Sequence, residues 1–177
     1  MNVGIYPGTF NPPTNGHYHM IMRASKCCSK LIVAVAENPE KQKDVLHLDV
    51  RMSLLKYVTS SLNNVVILGF RGLIVDFAKN NQADFLVRGV RNASDFEQEI
   101  AMASMNREMT GIETIFLCSS PEYCHISSTL VRSIVKYGKA IDRLNKFVPE
   151  QIIPQILELY ALPHDDGSQA VLPMSLT

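Results

Sequence analysis

The sequence predicts an α/β chain: one domain built on a five-stranded parallel sheet with helices on both faces. Three observations point there. Apolar runs of strand length alternate with segments of helical periodicity from Val3 to about Leu159. The run Leu31-Ile32-Val33-Ala34-Val35-Ala36 is apolar at every position, as a central parallel strand covered on both faces must be. Each strand is followed by a polar loop, and in open parallel sheets such loops converge at the carboxyl ends of the strands, where ligands bind.

Taken in order, Val3 to Tyr6 is the first strand, stopped by Pro7 and Gly8. A loop with two more prolines leads to Thr14, an N-cap candidate, and Met20, Ile21 and Ala24 then recur at helical spacing. After the second strand, 31–36, comes a loop, Glu37 to Lys43, and a helix from about Leu48 to Leu62 with Leu48, Met52, Leu55 and Val58 on one face. Val65 to Leu68 is the third strand, Gly69 to Gly72 a turn, and Leu73 to Lys79 a short helix. Phe85-Leu86-Val87 is the fourth strand, with Arg88-Gly89-Val90-Arg91-Asn92 expected as the loop after it. A long helix is expected from Ser94 to Met109, its apolar side carrying Phe96, Ile100, Ala103 and residues Met105 to Met109. Thr114 to Leu117 is the fifth strand and Ser119 to His125 a polar loop. Ile126 to Thr129 caps a helix reaching Tyr137, and Pro149 starts a last helix through Leu159. The expected domain is 1–160. Residues 161–177 lack periodicity and are expected to form a mobile tail.

The 177 residues suffice for one core. Lysine plus arginine equals aspartate plus glutamate at 17 each, so the balance supports no whole-molecule field that draws nucleic acid and leaves only a local basic cluster open. No apolar run has membrane-spanning length, and the N-terminus enters a strand with no signal pattern, so a cytoplasmic protein is expected. Cys27 and Cys28 are adjacent, and Cys118 and Cys124 are not at a common zinc spacing; four free thiols are expected.

The stretch that organises the chain is Ile5 to His17. A strand, a glycine-bearing loop and a helix start make a natural phosphate site, because unpaired N–H groups and the helix dipole face the anion. Thr9 adds a hydroxyl and His17 an imidazole, while Gly8 and Gly16 leave room for a ligand. A satisfied structural histidine is the alternative. The P-loop and dinucleotide glycine patterns are absent. Arg88 and Arg91 suit phosphate oxygens through bidentate contacts, or else pair with Asp95, Glu97 or Glu99. Lys41 sits on another rim loop. Ser127, Ser128 and Thr129 form either a helix cap or a triphosphate cradle. Glu99 is placed near Arg91, either at the site or in a structural ion pair.

Thr14-Asn15-Gly16-His17 matches the T/H-x-G-H signature of the nucleotidylyltransferase superfamily, after that superfamily's Gly-Thr-Phe turn. With Asn38-Pro39-Glu40-Lys41, with Arg88-Gly89-Val90-Arg91-Asn92 before Asp95-Phe96-Glu97-Gln98-Glu99, and with Ile126-Ser127-Ser128-Thr129, residues 3 to 160 resemble the phosphopantetheine adenylyltransferase family. The resemblance implies a Rossmann-like domain that transfers the adenylyl group of ATP to 4′-phosphopantetheine, giving dephospho-coenzyme A and pyrophosphate. It implies Thr9, His17, Lys41 and Arg88 around the reacting phosphates. ATP would be bound by Gly8, Thr9, Phe10, His17, Gly89, Arg91, Glu99, Tyr123, Ser127, Ser128 and Thr129, and the acceptor by Thr9, Lys41, Leu73, Ile74 and Arg88. It also implies Mg2+ held mainly by the phosphates, a homohexamer, and coenzyme A as feedback inhibitor, with no nucleic-acid or membrane partner.

Two residues depart from the pattern. Asn11 stands where the family usually has aspartate, removing a negative charge near the phosphates, and Gln98 where some members have an aromatic ring. The chemistry suits the residues: an acceptor phosphate with a second pKa of about 6 needs no general base to attack the α-phosphate. The alternatives are an adenylyltransferase for another acceptor, such as nicotinate mononucleotide, and a nucleotide-binding module without catalysis.

Overall fold

The computed structural model describes residues 2–37, 46–138 and 141–161. Five strands form one all-parallel sheet: β1 (Val3–Gly8), β2 (Lys30–Ala36), β3 (Val65–Phe70), β4 (Phe85–Val90) and β5 (Glu113–Cys118), in spatial order β3-β2-β1-β4-β5. The helices are α1 (Asn15–Ser25), α2 (Leu48–Val58), α3 (Ile74–Asn80), α4 (Ala93–Thr110), α5 (Ser128–Lys136) and α6 (Ile153–Ala161). The expected α/β class, strand number and strand direction hold. No described helix is long and apolar enough to cross a membrane, and all four cysteines are free.

Strand alternation builds the two faces. Leu31, Val33 and Val35 point to one side, where they pack with Met20, Ile21 and Ala24 of α1 and Leu55 of α2. Ile32 and Ala34 point to the other, against Val75 and Ala78 of α3. A third apolar cluster joins α2, α5 and α6 through Leu54, Val131, Leu144, Ile152 and Ile156.

The chain order reverses at β1, whose neighbours are β2 on one side and β4 on the other. Register with β2 runs the whole length, from Val3↔Lys30 to Gly8↔Val35. Register with β4 stops after Ile5↔Leu86. The carboxyl halves of β1 and β4 therefore part, and the crevice opens at the topological switch point.

Several boundaries differ from expectation. Arg88 and Gly89 lie inside β4, because β4 keeps its ladder with β5 through Val90↔Cys118 after it has left β1. β3 likewise continues through Gly69 to Phe70, α2 ends at Val58, and short 3-10 turns occupy Ile141–Lys146 and Glu150–Ile152 before α6. The apolar residues of α4 are not core: Phe96, Ile100, Met102, Met105 and Met109 are exposed on the single chain, and Asn106 is the helix's buried residue. The loop residues 38–45, with Lys41, and the segment 162–177 lie outside the described residues.

Candidate active site

At the end of β1 the chain turns over Phe10. This residue adopts φ 50°, in the left-handed region, and its ring is buried. A Cβ on Gly8 would lie 2.8 Å from that ring. Gly8 is thus required for the phenylalanine to fold back under the strand, and it also lines the cleft described below. The Phe10 ring meets Tyr6 edge-on at 5.7 Å and His17 edge-on at 5.0 Å. It is a supporting core residue behind the histidine and is not among the residues that line the cleft described below.

Thr14 caps α1. Its Oγ1 accepts from the His17 N–H at 3.3 Å, and the Thr14 N–H donates to His17 Nδ1 at 3.1 Å. This is a capping box with histidine in the place usually held by Glu or Gln. A backbone N–H can only donate, so Nδ1 is the acceptor and the neutral ring carries its proton on Nε2. Enclosure by protein atoms, helped by the Arg91 charge, lowers the His17 pKa to about 4. At neutral pH the site therefore holds an uncharged imidazole, and His17 lines the cleft described below.

Across the gap, Arg88 of β4 donates to the Pro7 carbonyl at 3.3 Å and to both oxygens of Glu99, at 2.6 and 2.5 Å. Burial opposes its charge, but the hydrogen bonds and charge of Glu99 outweigh it, and the guanidinium stays cationic. Glu99 thus pairs with Arg88 and not with Arg91. Arg91 pairs instead with Asp95 one helical turn along α4, at 2.7 Å. Gly89 faces α1, where a Cβ would sit 3.0 Å from Met20 Cε.

Between these elements lies a cleft of about 640 Å³, within the usual range for a small-molecule site. Gly8, Thr9, His17, Ile74, Arg88, Gly89, Arg91, Glu99, Tyr123, Ser127 and Ser128 all line it. Thr9 is exposed at its mouth. Among the described residues two guanidiniums (Arg88, Arg91) and two carboxylates (Asp95, Glu99) line the cleft. Thr129 and Leu73 are not among the lining residues. The Thr129 hydroxyl accepts from Arg132 at 3.2 Å, and Leu73, at 54% exposure, precedes α3 on the outside. The hydroxyls of Ser127 and Ser128 are also engaged: Ser127 caps α5 through the Leu130 N–H, and Ser128 donates to the Pro12 carbonyl at 2.8 Å. What α5 offers an anion is its N-terminal backbone and dipole.

The chain matches the cytidylyltransferase-like family over residues 5–134. It is 43% identical over 157 residues to a phosphopantetheine adenylyltransferase of Clostridium botulinum (strain 657 / Type Ba4), covering 88% of this chain and 93% of that one. The chain belongs to the phosphopantetheine adenylyltransferase family. A second member, from Clostridium botulinum strain Eklund 17B / Type B, is 40% identical and covers 89% and 97% of the two chains. Among solved structures, the nicotinic acid mononucleotide adenylyltransferase of Plasmodium falciparum complexed with NaAD has a TM-score of 0.66 at 13% identity, over 93% of this chain and 99% of that one, and shares the fold.

Beside the residues that the family motifs point to, the cleft has walls that motif reading missed. Tyr6, Phe70, Met102, Asn106 and Thr114 all line it. Burial pushes the Tyr6 hydroxyl up to about 12, so it stays protonated. Thr114 Oγ1 is buried on β5 without a hydrogen-bond partner. Asn106 had a readable signal: with Asp95, Glu99 and Met102 it falls on one helical face at 3.6-residue spacing. Thr114 had none, since an exposed-face threonine on a strand reads the same. Asn11 is not among the residues that line the cleft. It is buried, and its Oδ1 accepts from the Leu46 N–H at 3.0 Å and the Tyr160 hydroxyl at 3.1 Å.

Proposed function

We infer that the protein transfers the adenylyl group of ATP to 4′-phosphopantetheine, giving dephospho-coenzyme A and pyrophosphate. Family membership at 43% identity supports the reaction. The observation that carries the site assignment is His17, held neutral with Nδ1 occupied by the Thr14 N–H and its side chain lining the cleft between the parted ends of β1 and β4. An oxygen of the acceptor phosphate attacks the α-phosphorus, the bond to the bridging oxygen of the β-phosphate breaks, and pyrophosphate leaves with that electron pair. A dianionic acceptor needs no base. The protein's work is alignment and neutralisation of charge that builds up on the α-phosphate. His17 donates to that charge, Arg88 attracts the phosphates of both substrates, and Thr9 with Lys41 holds the acceptor phosphate. Arg91, Gly89, Tyr123 and the start of α5 hold ATP. Phe70, Ile74 and Met102 give the apolar wall for the pantetheine arm.

Among the described residues no group of three or more His, Cys, Asp or Glu is placed to hold a metal ion, and both cleft carboxylates are engaged by arginine. This donor set does not suit a protein-built metal site. Mg2+ would arrive on the phosphates of ATP as part of the substrate. We assign the enzyme to the cytoplasm, where ATP is abundant, and read its exposed α4 strip as a subunit contact in a homohexamer that coenzyme A inhibits by occupying the same cleft.

The deciding experiment is pyrophosphate release from ATP with each of two acceptors. Turnover with 4′-phosphopantetheine and little with nicotinate mononucleotide is expected. The reverse preference would overturn the reading.

A further inference from the structure

Arg51 on α2 is 2% exposed, and among the described residues it has no carboxylate at ion-pair distance. Glu37, which adds to its electrostatic environment, is itself engaged by Arg71 at 2.6 and 2.8 Å. Burying an unpaired guanidinium is costly unless its donors are satisfied. Here three backbone carbonyls take three of its five N–H groups: Nη1 donates to Thr9 at 2.7 Å and to Ala36 at 2.8 Å, and Nε to Leu46 at 2.8 Å. Thr9 and Ala36 both line the cleft, while Arg51 does not. Thr9 directly follows β1 and Ala36 ends the adjacent strand β2, and Leu46 leads into the helix that carries Arg51 itself.

We propose that Arg51 is a positioning residue for adenylyl transfer, fixing Thr9 from behind so that its hydroxyl and backbone meet the phosphate of the acceptor. The proposal rests on the reaction inferred above. A guanidinium suits this role because its planar fork reaches three carbonyls in fixed directions and cannot lose its charge. Lysine would keep the charge and lose the fork.

The test is steady-state kinetics of pyrophosphate release by wild type, Arg51→Lys, Thr9→Ala and the double variant, with melting temperatures beside them. Arg51→Lys should raise KM for 4′-phosphopantetheine about tenfold or more, the scale of one lost charge-assisted hydrogen bond, and change KM for ATP less than about twofold. Its effect should largely vanish in the Thr9→Ala background, because the arginine acts through that residue. Equal rises in both KM values, additive effects, or a lower melting temperature with unchanged kinetics would overturn the proposal. Where Arg51→Lys does not fold, 15N-arginine spectra of the wild-type protein decide: saturating 4′-phosphopantetheine should shift the Arg51 resonances, and unmoved resonances reject the role. Wild-type turnover tests the reaction separately, so an inactive wild type rejects the inferred reaction, while the spectral response to the acceptor still judges Arg51.

Discussion

Arg88 of β4 and Glu99 of α4 are joined by two hydrogen bonds of 2.6 and 2.5 Å, so the cation nearest the parted strands is already half neutralised. A phosphate that binds there shares the guanidinium with the carboxylate. The pair aims Arg88 at a cost in anion affinity. In Glu99→Gln that carboxylate charge is gone, and pyrophosphate should bind more tightly, by about fivefold at most since the pair is partly exposed. The catalytic rate should fall, because the arginine is no longer held in one orientation. Calorimetry with pyrophosphate checks the first half; weaker binding would mean that Glu99 contributes to the anion site in some other way.

His17 has two separable jobs, and two substitutions part them. His17→Ala removes both the reach-back to the Thr14 N–H and the Nε2 donor. It should cost about 1 kcal/mol of stability and about a hundredfold in rate. His17→Gln restores a capping-box residue and should recover the stability without recovering the rate. ATP affinity should change little in either, because the donor is strongest toward transition-state charge. Near-normal turnover of His17→Ala would make the histidine structural only.

The pH behaviour follows from the same residue. Its folded pKa of about 4 lies below the ordinary 6.5 of a histidine, so between those values the unfolded chain binds more protons than the folded one. Stability from this group is complete above pH 6.5 and declines as the pH falls toward 4. Denaturant melts at pH 7 and pH 5 should show this loss in wild type and lose it in His17→Gln. Turnover should show no step from His17 between pH 6 and 8.

Asn11 predicts a contrast between two substitutions. Its Oδ1 serves the Leu46 N–H and the Tyr160 hydroxyl, and a carboxylate oxygen accepts from the same two donors. Asn11→Asp should therefore fold and turn over. Asn11→Ala leaves both donors buried and should cost about 2 kcal/mol. Thermal melts decide between them, and an Asn11→Ala protein as stable as wild type would contradict the contacts.

The α4 strip predicts assembly. Light scattering of the wild-type protein should give about six times the 19.8 kDa chain mass, and Met105→Glu should lower it, because a buried charge opposes an apolar contact. A monomeric wild type at micromolar concentration would reject the hexamer.

What the amino-acid order determined by itself is whatever depends on neighbours along the chain. The strands of the sheet, the cap at Thr14 and the helix starting there are local, and they were legible from apolar periodicity and turn chemistry. So was the family, because its motifs are contiguous runs. The tertiary structure decided which charged groups meet. Arg88 pairs with Glu99 and not with a nearer acid because the packing of α4 on β4 sets which side chains face each other, a spacing that no sequence interval encodes. The same holds for Phe10, whose ring turned inward because Gly8 left space beneath the strand. It holds too for Arg51, which reads as an ordinary surface arginine on an amphipathic helix. Its three carbonyl partners come from the ends of two strands and its own helix start, and only the closed fold brings those ends within hydrogen-bond reach of one side chain. Periodicity reports which face of an element is covered, and α4 marks its limit: the apolar face it foretold is there, but a single chain leaves it uncovered.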